Sequence, residues 1–312
     1  MPEPKQMHVD SVLTNFSVQY RNEEMIWRDV MPEVKVNKRS DIFWKYSKEN
    51  AYRIFDDKIG PRSLANEIDF AVSTDNYSVK GHALADWVAQ EEIDNSDTPL
   101  APESDANDFV NQCLDVAQEQ RVSALVFAAG TYPAGNKVTL AGATQWSGAS
   151  DNPIADVQTA VEGCFVRANT LVFGIEAWLV FRRLTEILDA VKALAGTSLA
   201  GGLATQAAVA ALFDVDRVLV GRSRYISTKE GQTATYARLW GKHMAALHIK
   251  GGNTGVRSIT FGKTFSETTR LTMRSFDEKR GEKGAHYLKT SWNSDEKIVA
   301  SDLGYFIENA VA

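Results

Sequence analysis

Residues 40–81 hold two arms that alternate like paired strands yet carry too little apolar material to stand alone in water. In DIFWKYS, Ile42 and Trp44 alternate with Phe43 and Lys45. In EIDFAVSTDNYSV, Ile68, Phe70 and Val72 share one face, with Glu67, Asp69 and Ala71 on the other. Between them YRIFDDKIGPRSLAN has a turn signal at Gly60-Pro61 and charges of both signs. A two-stranded excursion of this kind needs a partner surface, so the chain must fold around, or against, something beyond one small core.

The flanking segments set the frame. Residues 1–38 show no sustained hydrophobic period and read as a segment that lies along another surface. Residues 82–96 read as a short helix, and TPLAPESD as a proline-marked break. After the break Ala106, Phe109, Val110, Cys113, Leu114 and Ala117 keep helical spacing. Ser104 is a candidate N-cap, and Asp105 and Asp108 suit the positive end of the dipole.

From Ser123 to Lys250 short apolar strands alternate with helices. Asn152-Pro153 opens a helix, TLVFG is a buried strand, IEAWLVFRRLTEILDAVKAL is an amphipathic helix, and GLATQAAVAALF leads into DRVLVG. Beyond Gly251 the pattern turns to strands: LTMRSF and AHYLKTSW flank the charged loop DEKRGEKG, and GYFIENAV is the last apolar strand. The fold class is therefore mixed α+β.

Composition narrows the function. With 312 residues, 44% hydrophobic, the chain can bury more than one small core, and a net charge of -6 argues against binding nucleic acid through a cationic surface. Cys113 and Cys164 belong to no CxxC pair and read as buried free thiols. Without a charged leader or an apolar run of membrane-spanning length, a soluble chain made in a cytoplasm is expected.

No reaction assembles from the motifs. Gly262-Lys263-Thr264 looks like the end of a phosphate loop, but that loop needs a glycine where Arg257 stands, so an exposed lysine in a strand or turn is the simpler reading. His243 and His248 are five apart and cannot face one metal ion from one element, and His8, His82 and His286 add no ligand pattern. There is no GxSxG elbow, Gly251-Gly252 with Gly255 lacks dinucleotide spacing, and Glu91-Glu92 and Asp56-Asp57 sit in polar stretches. Arg222 and Arg224 follow VLVG, where Gly221 permits a sharp exit into a loop, and suit contact with water or another subunit better than an anion site. Catalytic, cofactor and metal residues are thus none. An α/β enzyme using strands within 214–249 is the rival reading.

The order NPIADVQTAVEGCF, RANTLVFGIEAWLVFRRLTEIL, LATQAAVAALFDVDRVLVGRSRYIST and YARLWGKHMAALHI resembles the central region of the major capsid proteins of tailed bacteriophages, whose coat fold encapsulins share. The resemblance implies an N-terminal arm at 1–39, an extended loop at 40–81, a peripheral domain with a spine helix at 82–125, an axial domain at 126–250, and a β-rich peripheral return at 251–312. Arg182-Arg183 departs from the His-Pro of many relatives.

On this resemblance the chain assembles with itself, through hexamers and pentamers, into an icosahedral shell enclosing double-stranded DNA, which it touches non-specifically on the inner face. A separate scaffolding protein, a portal and a decoration protein are the further partners, and no membrane is involved. An encapsulin-like nanocompartment is the alternative. Assembly contacts are expected from Lys45, Arg53, Lys58 and Arg62 on the extended loop and from Arg222, Arg224, Lys229 and Glu230 beside the capsomer axis. A cross-link between Lys45, Lys58 or Lys80 and Asn293 of a neighbour is a minor further expectation.

Overall fold

The computed structural model describes residues 25–46, 48, 52–59, 64–65, 67–68, 72–96, 101–195, 202–250 and 258–312. In chain order they form α1 (Trp27–Val30), β1 (Glu33–Lys35), β2 (Ser40–Tyr46), β3 (Val72–Ser78), β4 (Lys80–Ala89), α2 (Gln90–Asp94) and α3 (Pro102–Val126). Next come β5 (Lys137–Thr139), α4 (Pro153–Glu162), β6 (Thr170–Gly174), α5 (Ile175–Phe181), α6 (Thr185–Ala195), α7 (Gln206–Leu212) and β7 (Arg217–Gly221). The remainder is β8 (Arg224–Ile226), β9 (Tyr236–Arg238), β10 (Met244–Leu247), β11 (Gly262–Ser266), β12 (Leu271–Asp277), β13 (Ala285–Ile298) and β14 (Gly304–Glu308).

Two five-stranded sheets carry the fold. In the first, the long strand β13 pairs antiparallel with β4, with β11 and with β12, and β1 lies parallel on β11. The second runs β5-β14-β10-β6-β7. Its central strands are apolar throughout because both faces are covered, as the continuous run TLVFG requires. One face packs under α4 to α7 around Trp146, Phe173, Trp178 and Phe181. The other joins Val172, Trp240 and Phe306 to Trp27, Val122, Phe261 and Trp292, so one apolar cluster links both sheets, α1 and α3.

Several elements form as the residues dictate. The Asn152 side chain caps α4 by accepting from the Ala155 amide at 3.3 Å, with Pro153 in the first turn. Asn169 locks the ends of three strands: its amide donates to Asp216 (3.1 Å) and to the Ile249 carbonyl (2.8 Å), and its oxygen accepts from the Ile249 amide (2.8 Å). The charged loop 278–284 closes the β12–β13 hairpin, with Arg280 over the Trp87 ring at 3.8 Å.

Four expectations are corrected. Residues 80–89 are strand rather than helix, since ten consecutive pairings with β13 outweigh the helix preference of Ala83, Leu84 and Ala85, and only Gln90–Asp94 is helical. Ser104 is not the N-cap of α3, because Pro102 opens the helix two residues earlier. The buried stripe of α3 is Ala106, Val110, Leu114, Gln118, Val122 and Val126, whereas Phe109 is 58% exposed. The run from Ile175 to Ala195 is two helices, interrupted at Arg182, whose carbonyl accepts from the Ala204 amide at 3.1 Å. In addition β14 leaves the β-rich return: it hydrogen-bonds between β5 and β10 in the second sheet.

A polar ladder fixes α3 on the first sheet. Glu103 pairs with Arg274 at 2.5 Å, Asp115 with Arg270 at 2.7 Å, and Thr272 donates to Asn107 at 3.2 Å. Glu296 accepts from Gln118 at 2.5 Å and from Arg121 at 3.0 Å. Burial pushes Glu296 up, but Arg121, Ser294 and Gln118 outweigh it and hold the carboxyl below its usual range. Its stabilising contribution is therefore complete above the ordinary glutamate value and lost as pH falls through and below it. Urea unfolding between about pH 6 and about pH 3 should show a shallower acid-side loss for Glu296→Gln than for the parent chain.

Gly174 and Gly221 are register partners at the ends of β6 and β7. Gly221 does not adopt the left-handed backbone that a sharp exit suggests; its role is space. A Cβ there would lie 2.1 Å from the Trp240 indole, and one on Gly174 would lie 2.0 Å from the Gly241 carbonyl oxygen. Gly221→Ala should cost about 1–3 kcal/mol of unfolding free energy in denaturant titration, since the fully buried Trp240 has nowhere to go.

Candidate assembly surfaces

The excursion β2–β3 is rooted on the first sheet. Phe43 and Tyr77 pack on Phe265, with ring centroids 5.7 and 4.7 Å away. Lys297 pairs with Asp75 at 2.6 Å, and the Ser78 amide donates to Asp295 at 2.9 Å. Further out, Tyr52 meets Phe165 edge-on at 4.9 Å, and the Lys48 ammonium pairs with Asp302. Among the described residues of this stretch, Ile54 is 98% exposed and Leu64 93%, with Ile59 and Ile68 also open.

A second projection leaves β7 directly. Strands β8 and β9 pair Arg224 with Arg238, Tyr225 with Ala237 and Ile226 with Tyr236. The Ser227 amide donates to the Thr235 carbonyl at 2.9 Å and Gly231 turns the tip at φ +84°. The directly opposed Ile226 and Tyr236 are 53% and 67% exposed, an uncovered cross-strand pair of a type that packs favourably.

The charged residues singled out by sequence fall on these two projections. Lys45 sits in β2 opposite Ser73. Arg53 and Lys58 are exposed in the excursion, and Arg62 lies outside the described residues. Arg222, Arg224, Lys229 and Glu230 are all exposed and share the 222–238 hairpin, where the Arg222 carbonyl accepts from Arg238. Sequence reasoning missed the exposed apolar residues beside them. Ile54 and Leu64 stand out as branched residues inside a polar run, which was the available signal.

At the base of the second projection lies a buried carboxylate that the sequence reading also missed. Glu119, fully buried on α3, accepts from the Ile26 amide (3.2 Å), the Trp27 amide (2.9 Å), Ser223 Oγ (3.3 Å) and Trp240 Nε1 (2.5 Å). Burial pushes it above its usual range and the four donors pull the other way without cancelling it. A charged residue falling on the apolar stripe of a helix was its only mark in the sequence.

The groups tested for chemistry are separated. His243 accepts from the Asn309 amide at 3.0 Å beside Phe127, while His248 lies 3.0 Å from the Arg167 carbonyl. Burial pushes the Cys164 thiol up to about 12, and Cys113 is only half-buried. Among the described residues, no cluster of three or more His, Cys, Asp or Glu is placed to hold a metal ion. None of their helices is long and apolar enough to cross a membrane.

Gly262-Lys263-Thr264 is an inner strand, with Thr264 donating to the Pro32 carbonyl at 3.1 Å, so its backbone cannot curl around a phosphate. Lys263 is 1% exposed, against the expectation of an exposed lysine: β11 is an inner strand, paired with β1 and β13, and every one of its residues is buried. Burial pushes its amine down to about 8. Acylation of the folded chain near pH 8 by an N-hydroxysuccinimide ester should leave Lys263 unmodified while labelling Lys58 and Lys229, and should reach it on unfolding. Equal labelling rates in the folded chain would contradict its burial.

No family model matches the chain. The major capsid protein of Pseudomonas phage JBD67 is 31% identical over 304 residues, covering 97% of each chain. A phage-related protein from Bordetella bronchiseptica RB50 superposes with a TM-score of 0.72 at 22% identity over 97% of both chains. The capsid protein of cyanophage P-SCSP1u superposes at 0.65 with 9% identity, over 97% of this chain and 93% of that one. Two projecting elements with exposed apolar side chains on a two-sheet body thus occur on the tailed-phage coat fold, and the chain belongs to the major capsid proteins of bacteriophages, structural proteins of the virion shell.

Proposed function

We propose that the chain builds a closed icosahedral shell through hexamers and pentamers, that the shell encloses double-stranded DNA, and that the chain itself carries out no reaction. In this reading residues 1–39 are an arm, 40–81 an extended loop lying on an adjacent subunit, and the 222–238 hairpin faces the capsomer axis. Residues 82–125 and 251–303 form the peripheral body and 126–250 with β14 the axial one. Assembly takes place in the host cytoplasm with a separate scaffolding protein and a portal, and DNA meets the inner wall without sequence preference.

The observation that carries the proposal is the exposure of Ile54, Ile59, Leu64 and Ile68 on the excursion between β2 and β3. Covering each such side chain is worth roughly 1.5–3 kcal/mol, whereas an exposed ion pair is worth about 0.2–1 kcal/mol. Apolar contacts therefore supply the holding energy. Arg53, Lys58, Arg222, Arg224, Lys229 and Glu230 set register and exclude wrong neighbours. Many modest interfaces on one rigid particle then sum to a stable shell.

The test is negative-stain microscopy of the purified chain, alone and co-expressed with its gene neighbours, beside a variant in which a short turn replaces residues 47–71. The parent chain should form closed shells, and the variant should keep its circular dichroism and sediment as capsomers or smaller. Shells of normal size from the variant would overturn the role of the excursion. Shells filled with a cargo enzyme instead of DNA would replace the virion by a nanocompartment.

A further inference from the structure

Residues that join distant parts of the chain are the places where one movement can depend on another. Glu119 is such a place: of its four donors, two come from the segment entering α1 and two from either side of the 222–238 hairpin. All four are neutral, so no cation holds the carboxylate if any of them leaves. Losing one set leaves a fully buried carboxylate with half its hydrogen bonds, which is relieved only by admitting water or by shifting the helix that bears it.

A second contact links the same two regions independently. Arg217, at the start of β7, donates to the Asp29 side chain (3.1 Å) and to the Asp29 carbonyl (2.9 Å). The far end of β7 runs into the hairpin through Gly221. Segment 26–30 is thus held at its first amides by Glu119 and at Asp29 by the strand that feeds the hairpin. Its apolar side chains Ile26, Trp27 and Val30, and Met31 after them, are buried in the cluster that also contains Trp240.

We propose that Glu119 is a latch: lifting residues 26–30 from α3 and loosening the base of the 222–238 hairpin are one coupled event, centred on this carboxylate. Coupling of this kind is reciprocal, so disturbing either side is felt at the other. The consequence for the particle rests on the reading of arm and hairpin as contacts with neighbours: a subunit whose arm is not seated presents a loosened hairpin at the capsomer axis, which links the two contacts within each subunit.

Hydrogen–deuterium exchange followed by mass spectrometry on the full unassembled chain tests the latch, and it needs no shell to form, so it can fail or succeed independently of the assembly reading. Glu119→Gln turns one accepting oxygen into a donating amide facing donors. It should speed exchange roughly tenfold or more in both 26–31 and 223–240 while peptides of β13 stay unchanged. Ser223→Ala removes only a hairpin-side donor, and it should still speed exchange at Ile26 and Trp27. It decides the matter if Glu119→Gln does not fold. Faster exchange confined to 223–240 in Ser223→Ala, or in one segment only in Glu119→Gln, would overturn the coupling.

Discussion

Trp240 is the side chain around which the two sheets, the long helix and the base of the 222–238 hairpin are arranged. Its indole occupies the space that Gly221 leaves bare, lies edge-on to Phe127 at 5.2 Å, and donates to Glu119. A ring of that size, wholly out of water, fixes the distance between β7 and α3, and its single donor must find an acceptor inside. That acceptor is also what receives the first amides of α1. The geometry at the base of the hairpin, the seat of the N-terminal segment and the height of the long helix above the second sheet are thus set together. Filling the glycine or removing the indole would disturb all three.

The two buried glutamates of the body resolve the same problem differently. Glu296 has Arg121 beside it, together with Gln118 and Ser294, and remains a favoured anion despite its burial. Glu119 has four neutral donors and no cation among its partners, and burial prevails. The first suits a fixed joint, since a paired and hydrogen-bonded charge between α3 and β13 resists separation. The second is held only while every donor stays in place. A helix clamped rigidly to one sheet and conditionally to its other neighbours has a built-in order of release.

Much of the architecture was legible because it depends on local chemistry. Asn152-Pro153 states a helix start, TLVFG states a strand covered on both faces, and the charged, glycine-bearing loop at 278–284 states a hairpin. The order of the first two, followed by DRVLVG and LWGKHMAALHI, carried the resemblance to phage coat proteins. What was illegible depends on pairing across long stretches of chain. Strand β4 reads as helix because its partner lies some two hundred residues away, and β14 reads as part of the last β-rich segment although its partners are β5 and β10. The assembly residues chosen from sequence were charged, since charges on loops are easy to notice. The exposed isoleucines and leucine between them became informative only when the fold showed that the chain leaves them uncovered.

That exposure fits what a shell subunit must do. A chain that hid all its apolar surface would be a stable monomer and would gain little from neighbours; one that exposed a single large patch would aggregate before it could assemble. Here many of the uncovered residues sit on thin projections, rooted by Phe43 and Tyr77 in one case and by β7 in the other, and others, such as Phe109, Leu271, Met273 and Phe276, are scattered on the body around its closed aromatic core. Each projection exposes a few isolated side chains among charges, so a wrong encounter gains little and meets like charges, whereas a correct one covers several side chains at once. On the proposed reading of both projections as contacts between subunits, distributing the apolar surface in this way makes each contact weak and reversible, and the completed particle is the state in which all of them are satisfied together.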